Sequence, residues 1–460
     1  MKKIFVYSTL AVLLFGCRKT EFDPIERTQG SADFSRYVAV GNSLTQGYQD
    51  GGLYEATQKY SYPALIAQQM KIVNPNMENF AQPMTTGNGS GYMHLEYQNG
   101  EFVVVSPDDP NGYAEDPSWS SWGGNGSGPS PRVYNNLGVS GMKLVHVIHR
   151  NTDEKRYNHA FFAGVDLGFT KVNGNPYSRF LYFGNYNPLT NTGTHIPYLE
   201  HIKKSNATFF TCWLGNNDVL GYATSGGQVQ KVKDAIPGIQ FLFPTLAEME
   251  LNGLSDPNEF RQKYDSVLKA FKDIGAKGVV ATIPDVTTIP LFTTLTLDVI
   301  KGMLNKNTVY IEENNGNVRP MTTGDYVLLS ANDDIKKNGK GNSSSNPIPK
   351  DKVLDINEAN ACKARTVELN NIIKDLAAQY NYPIVDMYKF LETFESGIKI
   401  DGIAFDVKYI EGGAFSLDGV HVNPRGYAII ANEFIKKINE FYGSNIPLVE
   451  VGKYKGIIFP

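Results

Sequence analysis

Cysteine is scarce in this chain, with three in 460 residues, at positions 17, 212 and 362. Cys212 falls in a predicted strand and Cys362 in a predicted helix, so the sequence offers no disulfide framework. Long apolar runs are missing beyond the first sixteen residues. No later stretch approaches the roughly eighteen uninterrupted apolar residues that a membrane-crossing helix needs. Positive charge is not in excess either: 43 Lys and Arg face 47 Asp and Glu, a formal net charge of −4. With no basic patch, nucleic acid is argued against as a partner. No internal repeat is evident. Aromatics, by contrast, are abundant, with 26 Tyr and 25 Phe, as suits an extracytoplasmic protein with stacking surfaces or large loops.

The apolar run that does exist stands at the start. Lys2 and Lys3 form a positive n-region, and the stretch from Ile4 to Phe15 is too short to span a bilayer. Residues 1–16 therefore read as a secretion signal. Leu14-Phe15-Gly16-Cys17 resembles a bacterial lipobox, with Cys17 as the residue to be acylated and Phe15 bulkier than usual at its position. The other reading is a plain signal peptide with an incidental cysteine. On the lipobox reading, lipid on Cys17, palmitate among its acyl chains, is the sole membrane contact. The protein then sits anchored in the bacterial cell envelope, with the outer membrane as the expected location. Without Lys2 and Lys3 the 43 basic residues become 41 against 47 acidic ones, a formal charge of −6. Residues 17–35 follow as a linker.

From there, short apolar runs alternate with helical patterns. Arg36–Val40, Val133–Asn136, Ala207–Leu214, Lys277–Ile283 and Tyr382–Val385 read as strands. Asp256-Pro257-Asn258-Glu259 reads as a capping box with Pro at the first helical position. Phe260, Tyr264, Val267, Leu268, Phe271 and Ile274 then form one stripe, ended by Gly275. A second long helix is expected from about Ile356 to Tyr380, and Asn423-Pro424 opens a last one carrying Tyr427, Ile430, Phe434, Ile438 and Phe441. Such alternation implies an α/β fold, a parallel sheet covered by helices on both faces. Ligands bind such sheets at the carboxyl ends of the strands.

Four short segments carry chemistry. Gly41-Asn42-Ser43-Leu44-Thr45 places a Ser just after the first strand, and Ser416-Leu417-Asp418-Gly419-Val420-His421 places an Asp three residues before a His. That spacing lets a carboxylate orient an imidazole, which then serves a nearby hydroxyl as general base. Asn136-Leu137-Gly138-Val139-Ser140-Gly141 and Trp213-Leu214-Gly215-Asn216-Asn217-Asp218 lie between them. These supply a glycine N–H and an Asn amide, the donor types of an oxyanion hole. Each segment also has a plain reading: an N-cap serine, a turn Asn-Asp pair, a helix-entry histidine.

Taken together and in this order, the segments resemble the four blocks of the SGNH or GDSL hydrolases. Ser43 matches the nucleophile, Gly141 the glycine of the second block, Asn217 the asparagine of the third, and His421 with Asp418 the final pair. Asn42 stands where the family usually has Asp; it keeps the size and one acceptor oxygen and loses the charge. The chain has no G-x-S-x-G, so it does not follow the nucleophile elbow of the α/β-hydrolases. The resemblance implies a flavodoxin-like parallel sheet of about five strands, within one domain over 36–460. It also implies a serine esterase that cleaves carboxylic esters through an acyl-enzyme on Ser43. Ser43, Asp418 and His421 would be catalytic, and Ser43, Gly141 and Asn217 would form the oxyanion hole. No metal or organic cofactor is implied. The substrate class covers acyl lipids and acylated carbohydrates. The alternative is a non-catalytic envelope lipoprotein on the same fold that binds glycan or lipid.

A minimal domain of this family needs about half this length, so insertions are expected near 71–132, 151–205 and 288–355. The first is rich in Gly, Asn, Ser and Pro, and the stretch 336–350 of the third reads as a mobile surface loop. All three leave from strand-end regions, where they can wall or roof a site. His146 and His149 have a spacing that can bind metal, but two helix histidines in polar contacts fit better without a third ligand. Asp108, Asp109, Glu115 and Asp116 lack the alternation of a Ca²⁺ loop and read as a solvated turn. Tyr92, Tyr113, Trp119 and Trp122 either stack a sugar or acyl group or pack the insertion's own core.

Overall fold

The computed structural model describes residues 27–109, 111–117 and 134–460. The expected signal segment, Cys17, the first part of the linker, Val133, Trp119 and Trp122 lie outside the described residues.

Four parallel strands form the central sheet, β1 (Tyr37–Gly41), β2 (Phe209–Trp213), β3 (Lys277–Ala281) and β4 (Ile384–Val385), in spatial order β1-β2-β3-β4. Tyr37 pairs with Phe209, and the register runs on to Gly41 opposite Trp213. The expected strand around Asn136 shrinks to a single parallel bridge between Ala39 and Asn136, extended by Leu137 N–H and Val139 N–H donating to the carbonyls of Ala39 and Gly41. It fills the place on the outer side of β1. The sheet thus has four regular strands and one bridged segment, and that segment gives the spatial sequence of a flavodoxin-like sheet.

Alternation along β2 shows why both faces carry helices. Phe209 and Trp213 meet Tyr442 and Phe434 of α7 (Pro424–Tyr442), with ring centroids 5.4 and 6.1 Å apart. Phe210 points the other way and stacks on Phe271 of α5 (Pro257–Asp273) at 3.9 Å. On the first face α7 also packs α2 (Tyr62–Val73) through the stacked pair Tyr62–Phe434. On the second, α5 lies against α6 (Ile356–Tyr380). With both faces covered, every β2 residue is buried, as the unbroken apolar strand implies.

Local signals set the helix ends. Asp355 and Glu358 form a full capping box on α6, and Asn423 accepts from Arg425 and Gly426 N–H at the start of α7. The box expected on α5 is half formed. Asp256 accepts from Glu259 N–H at 2.9 Å, while the Glu259 carboxylate turns to Arg150 at 3.0 Å and Lys263 at 3.1 Å. Two nearby cations outweigh one N–H.

The regions beyond the central sheet have structure of their own. Residues 94–105 form a hairpin, and α3 (Thr152–Ala163) with the hairpin 164–173 builds a satellite core around Tyr157, Leu167, Ile236 and Leu246. A third cluster holds Leu295, Ile300, Ile311, Val327, Ile335 and Ile348. The stretch 336–350 is therefore tied down rather than loose. Ile348 is fully buried and exchanges backbone hydrogen bonds with Tyr310 and Glu312. One apolar residue in a Lys/Asn/Ser-rich run is enough to anchor it, a signal that composition averages away. Among the described residues, no helix is long and apolar enough to cross a membrane.

Candidate active site

The chain leaves β1 at Gly41 and enters α1 (Ser43–Gln46) with Ser43 as its first residue. A Cβ at Gly41 would lie 1.9 Å from Thr45 Oγ1, so glycine is what allows the turn to close. From this position Ser43 Oγ stands 2.7 Å from His421 Nε2, and His421 Nδ1 stands 2.9 Å from Asp418 Oδ2. Three residues separated by up to 378 positions thus form one hydrogen-bonded chain.

The carboxylate end of this chain is heavily supported. Asp418 Oδ1 accepts from Val420 N–H and His421 N–H at 2.8 Å each and from the Ser416 hydroxyl at 3.0 Å; Oδ2 also accepts from Gly51 N–H at 2.9 Å. Burial alone would raise the carboxyl. The His421 charge and the hydrogen bonds from His421 and Val420 outweigh it and hold Asp418 well below the usual carboxylate range. A second buried carboxylate, Asp50, accepts from Leu417 N–H at 2.8 Å and fixes the same turn from behind. The Tyr48 ring lies 4.7 Å from the His421 ring and 5.4 Å from Tyr177, which closes the imidazole on one side.

Gly141 sits at the end of the bridged segment with φ +79, a left-handed conformation that favours glycine, and a Cβ placed on it would lie 3.8 Å from Asn175 Nδ2. Among the described residues, neither its N–H nor that of Ser43 has a backbone or side-chain acceptor. Asn217, the first residue of α4 (Asn217–Thr224), donates from Nδ2 to the Met142 carbonyl at 3.0 Å. Asn42 Nδ2 donates to that same carbonyl. The first, second and third segments therefore converge on one backbone oxygen. An amide –NH₂ has two hydrogens, so Asn217 keeps one free for another acceptor. The structure brings Ser43, Asp418 and His421 into one hydrogen-bonded chain; Ser43, Gly141 and Asn217 follow β1, the bridged segment and β2, while Asp418 and His421 lie on the turn before α7.

Several supporting residues were not legible beforehand. Asp218 is fully buried, accepts from Leu144 N–H and from the Ser255 hydroxyl, and so clamps the second segment to the third. Burial pushes its carboxyl up to about 6, opposed by Lys143 and these hydrogen bonds. Gln46 Oε1 accepts from both N–H and hydroxyl of Ser140, while its Nε2 donates to the Tyr177 carbonyl. Asn175 Nδ2 donates to the Ser140 carbonyl at 2.7 Å. The hint the sequence offered was position: Gln46 lies one turn after Ser43, and Asp218 directly follows Asn217.

The other candidates resolve plainly. His146 is buried, accepts from Lys143 N–H through Nδ1 and stacks on Phe161 at 3.6 Å. Among the described residues, no group of three or more His, Cys, Asp or Glu is arranged to hold a metal ion. Asp109 accepts from Asn111 N–H within its own turn. Tyr92 stacks between Tyr54, which lies outside the insertion, at 3.7 Å and Tyr113 at 4.7 Å, so the insertion is packed against the segment that follows α1.

The family model described as GDSL-like Lipase/Acylhydrolase matches residues 37–434. No curated protein matches the chain. Among solved structures, the chain is similar to an acetylxylan esterase from Geobacillus stearothermophilus, with 11% identity over 88% of this chain and 95% of that one and a TM-score of 0.34. It is also similar to the lipase/acylhydrolase from Enterococcus faecalis, with 12% identity over 90% and 100% and a TM-score of 0.30. Likeness at that distance carries nothing about substrate.

Proposed function

The chain belongs to the GDSL-like lipase/acylhydrolase family of ester hydrolases, and from that premise we propose that it is a serine esterase working through an acyl-enzyme on Ser43. The observation that carries this reading is the unbroken chain from Ser43 Oγ through His421 to Asp418, with contacts of 2.7 and 2.9 Å. His421 takes the Ser43 proton as the oxygen attacks the ester carbonyl, and Asp418 stabilises the imidazolium that forms. The oxyanion is received by the N–H groups of Ser43 and Gly141 and by the free hydrogen of Asn217 Nδ2. His421 then protonates the departing alcohol. Water, deprotonated by the same imidazole, attacks the acyl-enzyme and releases the acid.

Ser43→Ala tests the assignment. Ser43 is half-buried at a helix start and packs in no apolar stripe, so the variant should fold and lose ester turnover. A folded alanine variant with turnover near the parent's would remove Ser43 from the mechanism. Nothing in the site favours a binding-only protein over an enzyme, since all the reacting groups are present and mutually bonded.

The proposal extends to location. The n-region, short apolar run and Leu14-Phe15-Gly16-Cys17 support cleavage before Cys17 and lipid attachment there, anchoring the enzyme in the cell envelope. Cys17→Ser should move the protein out of the membrane fraction. Retention of the variant at the parent's level would place the anchor elsewhere.

A further inference from the structure

A cavity of about 530 Å³ opens between α3, the hairpin 164–173 and the segment 232–251. It is built outside the central sheet. Ala160, Phe161, Val172, Ile239 and Phe243 line it, and among the described residues the only charged ones on its walls are Arg156 and Lys171. Its volume falls within the ~300–1,000 Å³ typical of small-molecule sites. One wall is Asn175, whose Nδ2 donates to the Ser140 carbonyl at 2.7 Å and would stand 3.8 Å from a Cβ placed on Gly141. Asn175 is therefore shared between the cavity wall and the Gly141 turn, and it alone stands between the two at this point. Beside it lie three apolar side chains left in solvent: Phe241 is 84% exposed, Phe169 52% and Leu242 49%. So much exposed apolar surface beside an apolar hollow calls for an apolar occupant.

We propose that this cavity receives the aliphatic acyl chain of the ester, entering past Gly141 and Asn175, so that the region 151–251 makes the enzyme selective for chains longer than acetyl. The acetyl group of an acylated sugar would leave the hollow empty, whereas each methylene placed in it should raise kcat/KM by up to roughly fourfold. The absence of carboxylates from its lining also admits a fatty acid, the product of such a reaction. The turnover part of this inference rests on the esterase reading; the binding part does not.

The test has two arms, both on the full chain. In the first, folded Ser43→Ala protein is titrated with cis-parinaric acid, a fluorescent fatty acid. Saturable binding is expected, weakened at least tenfold by Ala160→Phe and by Val172→Trp, which fill the cavity from two different walls. Melting curves show that each variant is folded, and either one alone suffices. No binding, or binding that both folded variants leave unchanged, overturns the proposal. In the second arm, p-nitrophenyl acetate and octanoate are compared. The parent should favour octanoate at least tenfold in kcat/KM, and the filled variants should lower the octanoate-to-acetate ratio at least tenfold. A parent that turns over acetate but not octanoate overturns the cavity assignment and leaves the esterase standing. Binding that responds to the filled variants, with no ester turned over, supports the acyl site and removes the esterase reading.

Discussion

Asn42→Asp restores the residue that the family usually carries, and in this chain it should do harm. Asn42 is 2% exposed, and its Nδ2 donates to the Met142 carbonyl, the oxygen that also accepts from Asn217 at 3.0 Å. A carboxylate has no hydrogen to give and would face that oxygen with lone pairs. Buried without a cation, it should respond by raising its pKa. A rise of about two units above the ordinary value costs roughly 2.7 kcal/mol once the group is ionised. The sign follows from the raised native pKa. Below about pH 4 the introduced carboxyl is protonated in both native and unfolded states. It can then donate as the Asn42 amide does, and the variant should match the parent. As pH rises through the native pKa, that stability is lost. Urea denaturation of parent and variant at pH 4 and pH 7.5 measures the difference. At pH 7.5 the loosened Met142 frame should also lower kcat by roughly 10–100-fold, because a shift of about 1 Å in a positioned group costs that much. A variant as stable as the parent at both pH values and fully active would refute the claim that Asn42 holds the second segment through Met142.

Three further outcomes follow from the same geometry. Asn217→Ala should lower kcat by roughly 10²–10³ with little change in KM, because the amide meets full negative charge only in the tetrahedral state; a kcat within threefold of the parent in folded protein would sink the oxyanion role. Asp418→Asn should lower kcat by about 10⁴, since the amide can present its N–H to His421 and stabilise the wrong tautomer, and circular dichroism should show the fold retained. Asp218, raised to about 6 by burial, contributes stability that is full below about pH 4 and is lost as pH rises through 6. Asp218→Asn does not titrate, so the decline in stability between pH 4 and 6 should flatten by up to ~1.4 kcal/mol per pH unit. An unchanged slope would show that Asp218 is ordinary in its ionisation.

The parts of this architecture that were readable from sequence are those whose signals are local. Asp355 and Glu358 announce α6, Asn423-Pro424 announces α7, and unbroken apolar runs mark strands buried on both faces. The Asp418–His421 pair is local too, three residues apart on one turn. Where the outcome depends on distant partners, sequence reasoning fell short. Glu259 left its cap for Arg150, more than a hundred residues earlier in the chain, as well as for Lys263 one turn on. The strand around Asn136 kept only one bridge, because its place at the outer edge of β1 leaves it a partner on one side. The Met142 carbonyl carried no sequence signal at all, since backbone oxygens have no identity until Asn42 and Asn217 arrive to share one. The burial of Ile348 likewise depends on Ile311 and Tyr310, some 40 residues away.

The central claim is that Ser43 forms a covalent acyl-enzyme, and trapping that intermediate tests it most directly. Full-length protein is treated with an aryl alkylphosphonate, whose phosphorus is attacked by the serine oxygen with loss of the aryl oxide to leave a stable phosphonylated serine, and then analysed by intact mass and peptide mapping. The account predicts one adduct per chain, located on the peptide containing Ser43, absent from Ser43→Ala and strongly slowed in His421→Ala. A folded protein that takes no adduct, or takes it on another residue while Ser43 stays free, would contradict it.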